Sequence, residues 1–260
     1  MIPHFPKPTL RRVALAFAAL LGLALPAGSA TINDGTASLT VSDTHGGATD
    51  YVLGGTDHLF QADFYFRTGS MTAEEMMTGV NSTYVNSVSA SGLEITVTGS
   101  TSEFDFTLIY GLDGAGRMTP SLDITNTSGS QLDITVFNYQ DWDVNGTAGG
   151  DSIIWNGFDF VISQGATSIQ VTPAQTPTAV AASGWPTLRN SLRDGSATTL
   201  TDGAGLPFGP GDGTLAAQHD LSIADGDTGS VIYTVPEPST GAMGLLGLAG
   251  LAWASRRRPL

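Results

Sequence analysis

Several segments in the middle of the chain place apolar side chains on every second position, and a segment patterned that way hides them by forming a β-strand. Phe60, Ala62, Phe64 and Phe66 alternate with Gln61, Asp63, Tyr65 and Arg67. Leu93, Ile95 and Val97 alternate with Glu94, Thr96 and Thr98, and Phe104, Phe106, Leu108 and Tyr110 form a third row. Successive strand side chains point to opposite faces, so each row predicts one buried and one wet face, the habit of antiparallel sheets. Similar patterns predict strands at 37–42, 49–53, 84–89, 152–155, 157–163, 167–172, 215–223 and 229–235. Leu122-Asp123-Ile124-Thr125 returns as Leu132-Asp133-Ile134-Thr135 across the polar residues 126–130, which reads as a hairpin of two paired strands.

Helical signals are sparse. Thr72 and Glu75 have capping-box spacing, with room for barely two turns before Gly79. Pro173, Pro177, Pro186, Pro207 and Pro210 punctuate a stretch expected to form surface loops, with one short helix near 187–192. About ten to thirteen strands in roughly 205 residues predict an all-β fold, a single large two-sheet antiparallel β-sandwich. The chain has no cysteine, so no disulfide supports it and no thiol chemistry is open to it. Lys7 is the only lysine, which removes Schiff-base chemistry and the lysine-bearing phosphate loop from the body. Between residues 31 and 235 there are 23 carboxylates against Arg67, Arg117, Arg189 and Arg193. So acidic a body repels phosphate backbones, and nucleic acid is excluded as a partner.

The apolar runs at the two ends are of another kind. Lys7, Arg11 and Arg12 precede an uninterrupted apolar stretch at 13–25, and Pro26 breaks it before Ala27-Gly28-Ser29-Ala30. That order is a secretory signal peptide over residues 1–30, with signal peptidase expected to cut after Ala30. The acidic sandwich domain then occupies 31–234. At the other end Val235-Pro236-Glu237-Pro238-Ser239-Thr240 leads into a charge-free run at 241–255 and the basic end Arg256-Arg257-Arg258. Fifteen helical residues rise about 22 Å against a hydrocarbon core of roughly 30 Å, which makes a short transmembrane helix and a weak permanent anchor. The arginines would stay cytoplasmic and the body outside.

The three parts of residues 235–260, in that order, resemble the PEP-CTERM sorting signal. The resemblance implies recognition by an exosortase, a membrane transpeptidase, with cleavage near Pro236, Glu237 and Pro238. It also implies a Gram-negative source and a cell-surface or exopolysaccharide-matrix destination, with the membrane engaged only through the C-terminal helix before processing. It covers sorting and is silent about the body.

Within the body, Asp141-Trp142-Asp143-Val144-Asn145-Gly146-Thr147 places oxygen side chains at alternate positions before a glycine, as the first half of a calcium loop does. Asp141, Asp143, Asn145 and Asp151 are therefore candidate calcium ligands. Ser152 stands where a helical calcium hand would have its bidentate glutamate, so any calcium site here would be a β-loop; the simpler reading is a polar turn after a strand, with Asp and Asn making local backbone hydrogen bonds. Asp212-Gly213 and Asp225-Gly226-Asp227 are further acidic turns, relevant only if they meet Asp141 and Asp143 in space. The motifs of a zinc hydrolase or a serine nucleophile elbow are missing, and His45, His58 and His219 show no catalytic spacing. With so many carboxylates some pair always stands at glycosidase distance, so that signal is empty. Trp142, Trp155 and Trp185, with Tyr51, Tyr65, Tyr84, Tyr139 and Tyr233, could form a sugar-stacking platform. The expectation is an exported, exosortase-processed cell-surface or exopolysaccharide-matrix protein without catalytic residues or enzymatic activity. The alternative is a carbohydrate-binding or carbohydrate-processing protein on the same scaffold.

Overall fold

The computed structural model describes residues 29–42, 47–80, 83–89, 92–236 and 239–240. Residues 1–28 of the expected signal peptide 1–30, His45, Glu237, Pro238, the expected membrane helix 241–255 and Arg256, Arg257 and Arg258 lie outside the described residues. Nineteen strands among them form two antiparallel sheets, more strands than the sequence pattern predicts, three of them only two residues long. The first sheet runs, in spatial order, Ser29–Asn33, Ala37–Ser42, Gly47–Leu53, Gln61–Thr68, Leu132–Asp141, Gly213–Ile223 and Ala179–Gly184. The second runs Phe208–Gly211, Asp151–Trp155, Phe160–Gln164, Thr167–Pro173, Thr228–Thr234, Met118–Asn126, Phe104–Leu112, Gly92–Ser100 and Thr83–Ser89. The all-β sandwich anticipated from the alternation is the fold.

One large core lies between the sheets. Phe104–Leu112 and Met118–Asn126 bury every second residue there. From the first sheet Phe64, Phe66, Ile134 and Val136 meet them. Phe66 stands edge-on to Phe104 at 5.1 Å between ring centres, and Phe64 meets Tyr233 at 6.4 Å, so aromatic pairs tie one sheet to the other.

Three expectations are corrected. Met118–Asn126 and Leu132–Asp141 are not a hairpin: they belong to different sheets. Each is already paired on both edges, the first with Phe104–Leu112 and Thr228–Thr234, the second with Gln61–Thr68 and Gly213–Ile223. The repeated Leu-x-Ile pattern therefore marks two walls facing a common core. The link between them is an arch clamped by buried Asn126, whose Nδ2 donates to the Ser130 and Ile223 carbonyls at 2.7 and 2.8 Å.

Thr72 starts no helix. Glu75–Met76 instead adds a short strand beside Gln61–Thr68, followed by a 3₁₀ turn at Met77–Gly79. Nor is Gln61–Thr68 wet on one face, since only Arg67 along it is more than marginally exposed. The proline-punctuated segment after Gly184, with the expected short helix at Thr187–Ser191, folds back over the outside of the first sheet. There Leu188, Leu192 and Leu200 cover Tyr65, Phe137, Tyr139 and Ala216 in a second apolar cluster.

That cover buries Asp63 completely. Gly47 lies against it with φ +98°, and a Cβ there would stand 1.9 Å from Asp63 Oδ1 and 2.2 Å from the Ala62 carbonyl oxygen. Both backbone geometry and space demand glycine at this crossing.

Candidate functional site

The strand Leu132–Asp141 ends with Asp141 between Gln61 and Thr214, on the face shared with Tyr139. The chain then turns through Asp143 and the 3₁₀ turn Val144–Gly146 before Asp151 opens the strand Asp151–Trp155. Asp212, about seventy residues later, stands just before the strand Gly213–Ile223 whose Thr214 pairs with Asp141. The sheet register thus brings Asp212 onto the Asp141 turn. Carboxylate oxygens of Asp141, Asp143 and Asp212, one from each, all lie within 4.8 Å of one another.

Crowding and burial leave clear electrostatic marks. Asp141, almost fully buried, has its carboxyl pushed up to about 7, first by loss of water and then by Asp143 and Asp212. Asp151 is completely buried and is likewise pushed up to about 7, by burial first and then by Asp143 and Asp212. Asp143 is raised by burial and by Asp212 and Asp57. Neither oxygen of Asp151 has a hydrogen bond of good geometry, and the Val144 backbone N–H gives it only partial relief. A fully buried carboxylate left in that condition is costly, and either a proton or a cation must neutralise the group. Oxygens this close can all touch one ion with oxygen bonds of about 2.3–2.6 Å, the range of calcium.

Among the sequence candidates, the structure brings Asp141 and Asp143 together and sets Asp151 within their electrostatic reach. Asn145 takes another part. Its backbone is left-handed at φ 64°, its N–H donates to His58 Nδ1 at 3.2 Å, and its Nδ2 donates to the Gln164 carbonyl at 3.2 Å. It fastens the turn to neighbouring strands. Of the other acidic turns, Asp212 joins the cluster, whereas Asp225 caps the distant arch by accepting from the Gly129 N–H at 2.9 Å.

The three acids open into a pocket of about 210 Å³ whose other walls are Phe60, Ala148 and Trp185. Two backbone bonds build that arrangement: Phe60 N–H donates to the Asp141 carbonyl at 3.0 Å, and Trp185 N–H donates to the Asp212 carbonyl at 2.9 Å. Each aromatic ring is thereby held beside a carboxylate. Phe60 is 53% exposed and Trp185 44%. The expected aromatic platform is otherwise dissolved into the interior: Trp142, Tyr51, Tyr65, Tyr139 and Tyr233 are buried, and Trp155 packs on Phe160. The side chain of Tyr84 lies outside the described residues. His219 is buried against the Tyr233 hydroxyl at 2.7 Å and its pKa falls to about 4, because burial disfavours the imidazolium. No histidine lines the pocket.

Of the sorting residues, Ala30 lies in the first strand opposite Val41, so cutting after it leaves residues 31–33 of that strand. Pro236 follows Val235, whose backbone exchanges two hydrogen bonds with Met118 at 2.8 and 2.9 Å.

Residues 234–258 match the family model of the PEP-CTERM protein-sorting motif. The chain therefore carries a signal for export, a transient C-terminal membrane anchor and exosortase processing. No curated protein matches it. Solved structures resemble its fold. A bacterial glucoamylase complexed with acarbose superposes with a TM-score of 0.60 at 10% identity, over 85% of this chain and 33% of that one. A galactose mutarotase related enzyme from Lactobacillus acidophilus gives 0.56 at 8% identity, over 82% and 98%. An amine oxidase from Aspergillus nidulans gives 0.52 at 6%, over 92% and 56%. This chain spans about a third of the glucoamylase. Sugar enzymes and an amine oxidase sharing one sandwich illustrate that the scaffold fixes no chemistry.

Proposed function

We propose that the chain is a non-enzymatic cell-surface or exopolysaccharide-matrix protein whose sandwich holds a divalent cation, calcium by its all-oxygen ligands, at Asp141, Asp143 and Asp212. The observation that carries this reading is their convergence within 4.8 Å of one another, with the buried carboxylate of Asp151, poorly hydrogen-bonded, on the strand paired beside Asp212. A hard cation with oxygen ligands neutralises such a set without a protein counter-charge. Around it lies a body rich in carboxylates, which repels anionic polymer unless divalent ions intervene. Washing the surface fraction with EDTA is expected to release the protein, and an Asp212→Asn variant should be retained poorly even without chelator. Retention unchanged by both would remove the cation from the account.

Sorting is tested separately. Replacing Pro236 and Glu237 by alanine should leave uncleaved precursor in the membrane fraction, read by the mass of the C-terminal peptide; normal release of this variant refutes exosortase processing. A second reading, carbohydrate recognition, is favoured by Phe60 and Trp185 standing exposed in the acidic pocket itself. Catalysis on sugar has less support, because the pocket lacks histidine and its acids crowd around one point.

A further inference from the structure

We infer that the pocket binds a neutral pyranose, whose vicinal diol completes the coordination of the cation held by Asp141, Asp143 and Asp212 and whose apolar face lies on Trp185. The inference rests on the cation reading above. Its starting point is a division of labour visible in one small cavity. Three carboxylates and two exposed aromatic residues line it together, each aromatic residue joined through its backbone N–H to the carbonyl of an acidic residue. Acids clustered alone would carry no ligand. Here a second observation stands beside them: Asp151 is fully buried, neither of its carboxylate oxygens has a hydrogen bond of good geometry, and its strand pairing with Gly211 sets it next to Asp212, so a cation at the cluster answers a need the protein leaves unmet.

Calcium takes six to eight oxygens. Three aspartates supplying one oxygen each leave positions open on the pocket side, where Trp185 and Phe60 exclude part of the water. Two adjacent hydroxyls of a sugar ring form a chelating pair, and the C–H face of the ring suits an indole. A cavity of about 210 Å³ is of the order of one monosaccharide. Charge selects the class of sugar. Three carboxylates and one divalent cation sum to a negative site before Asp151 is counted, so a uronate is disfavoured and a neutral ring preferred.

The experiment uses the exported protein purified from producing cells. Methyl α-mannopyranoside and methyl β-galactopyranoside, each with a cis-vicinal diol, are titrated by calorimetry with calcium and with EDTA. The 3-deoxy analogue of each glycoside, which has no vicinal diol left, and polygalacturonate serve as comparisons, and calcium binding alone is followed by the shift in Tm. The expected result is saturable binding of at least one methyl glycoside that requires calcium and is lost with the deoxy compound. Trp185→Ala should weaken it about tenfold or more while preserving the calcium-induced Tm shift. Asp212→Asn should abolish both. A calcium shift with no glycoside binding, or with polygalacturonate binding only, overturns the sugar site and leaves the cation standing. Glycoside binding indifferent to EDTA or to Trp185→Ala overturns the geometry proposed here. Absence of any calcium shift overturns the cation reading and this inference together.

Discussion

Calcium at a hundredfold excess over its Kd is expected to raise the Tm of the sandwich by about 5–10 °C at pH 8. Binding to the folded state alone at that ratio stabilises by about 2.7 kcal/mol, and a domain of this size gains about 2–4 °C per kcal/mol. The effect should depend on pH in a defined direction. Asp141 and Asp151 are both pushed up to about 7 in the folded protein, from an ordinary value of 3.8. Between those limits the folded state binds more protons than the unfolded chain. Their contribution to stability is therefore present at low pH and lost as pH rises from about 4 to about 7. The charged groups acting on them are Asp143, Asp212 and, next to Asp143, Asp57, all acidic, and the Tyr139 hydroxyl that donates to Asp141 offsets only part of the rise, so the sign stands. Calcium takes the place of the protons. Its increment should be largest above pH 7 and should fade toward pH 5, where protons on Asp141 and Asp151 already neutralise the site.

The Asp212→Asn variant separates this account from a general salt effect. Without calcium, removing one of several crowded like charges should leave Tm unchanged or raise it; with calcium, the increment should vanish. Differential scanning calorimetry at pH 5 and pH 8, with and without the ion, measures all four conditions. An increment equal at both pH values, or retained in the variant, refutes the site.

How far the sequence discloses this arrangement differs from element to element. Alternation is a local property, so strands such as Phe104–Leu112 are legible from their own residues. Which strand pairs with which is not. The twin Leu-Asp-Ile-Thr segments look like one hairpin because both present Leu and Ile to the same core, and facing walls of a sandwich produce that pattern as readily as paired strands do. The outer face of Gln61–Thr68 carries Asp63, Tyr65 and Arg67, which reads as wet; only the fold-back of a segment more than a hundred residues later makes it dry. The candidate site divides the same way. Asp141 and Asp143 are visible in one short motif, but Asp212 is delivered by sheet register, and an isolated Asp-Gly turn gives no sign of it. Phe60 reads as the first core residue of its row, yet the strand starts at Gln61 and Phe60 is left at the pocket mouth.

The fold-back is itself expected to be a point of failure, and Arg67→Ala should cost about 3–5 kcal/mol, equivalent to roughly 6–20 °C in Tm. Arg67 forms an ion pair with Glu74 and also donates to the Thr198 carbonyl at 2.7 Å, while the Thr198 N–H donates to Glu74 Oε1 at 2.8 Å. The strand Gln61–Thr68, the residue just before the short strand Glu75–Met76 and the covering segment meet at these three residues. The Glu74 side chain is 1% exposed and its second oxygen has no hydrogen bond, so removing the guanidinium strands a buried charge. The loss should be felt first in the cover. Limited proteolysis is expected to cut the variant within residues 194–199 while the sheets remain intact, because Leu188, Leu192 and Leu200 hold the segment by few contacts once its polar latch is open. The pair Arg67→Met with Glu74→Leu should recover most of the lost stability, since no charge is then left unpaired. Trp185 stands at the root of the same segment, tied to Asp212, so an opened cover should also weaken whatever the pocket holds. A Tm within 2 °C of the parent, together with unchanged protease resistance, would show that apolar packing alone keeps the segment closed.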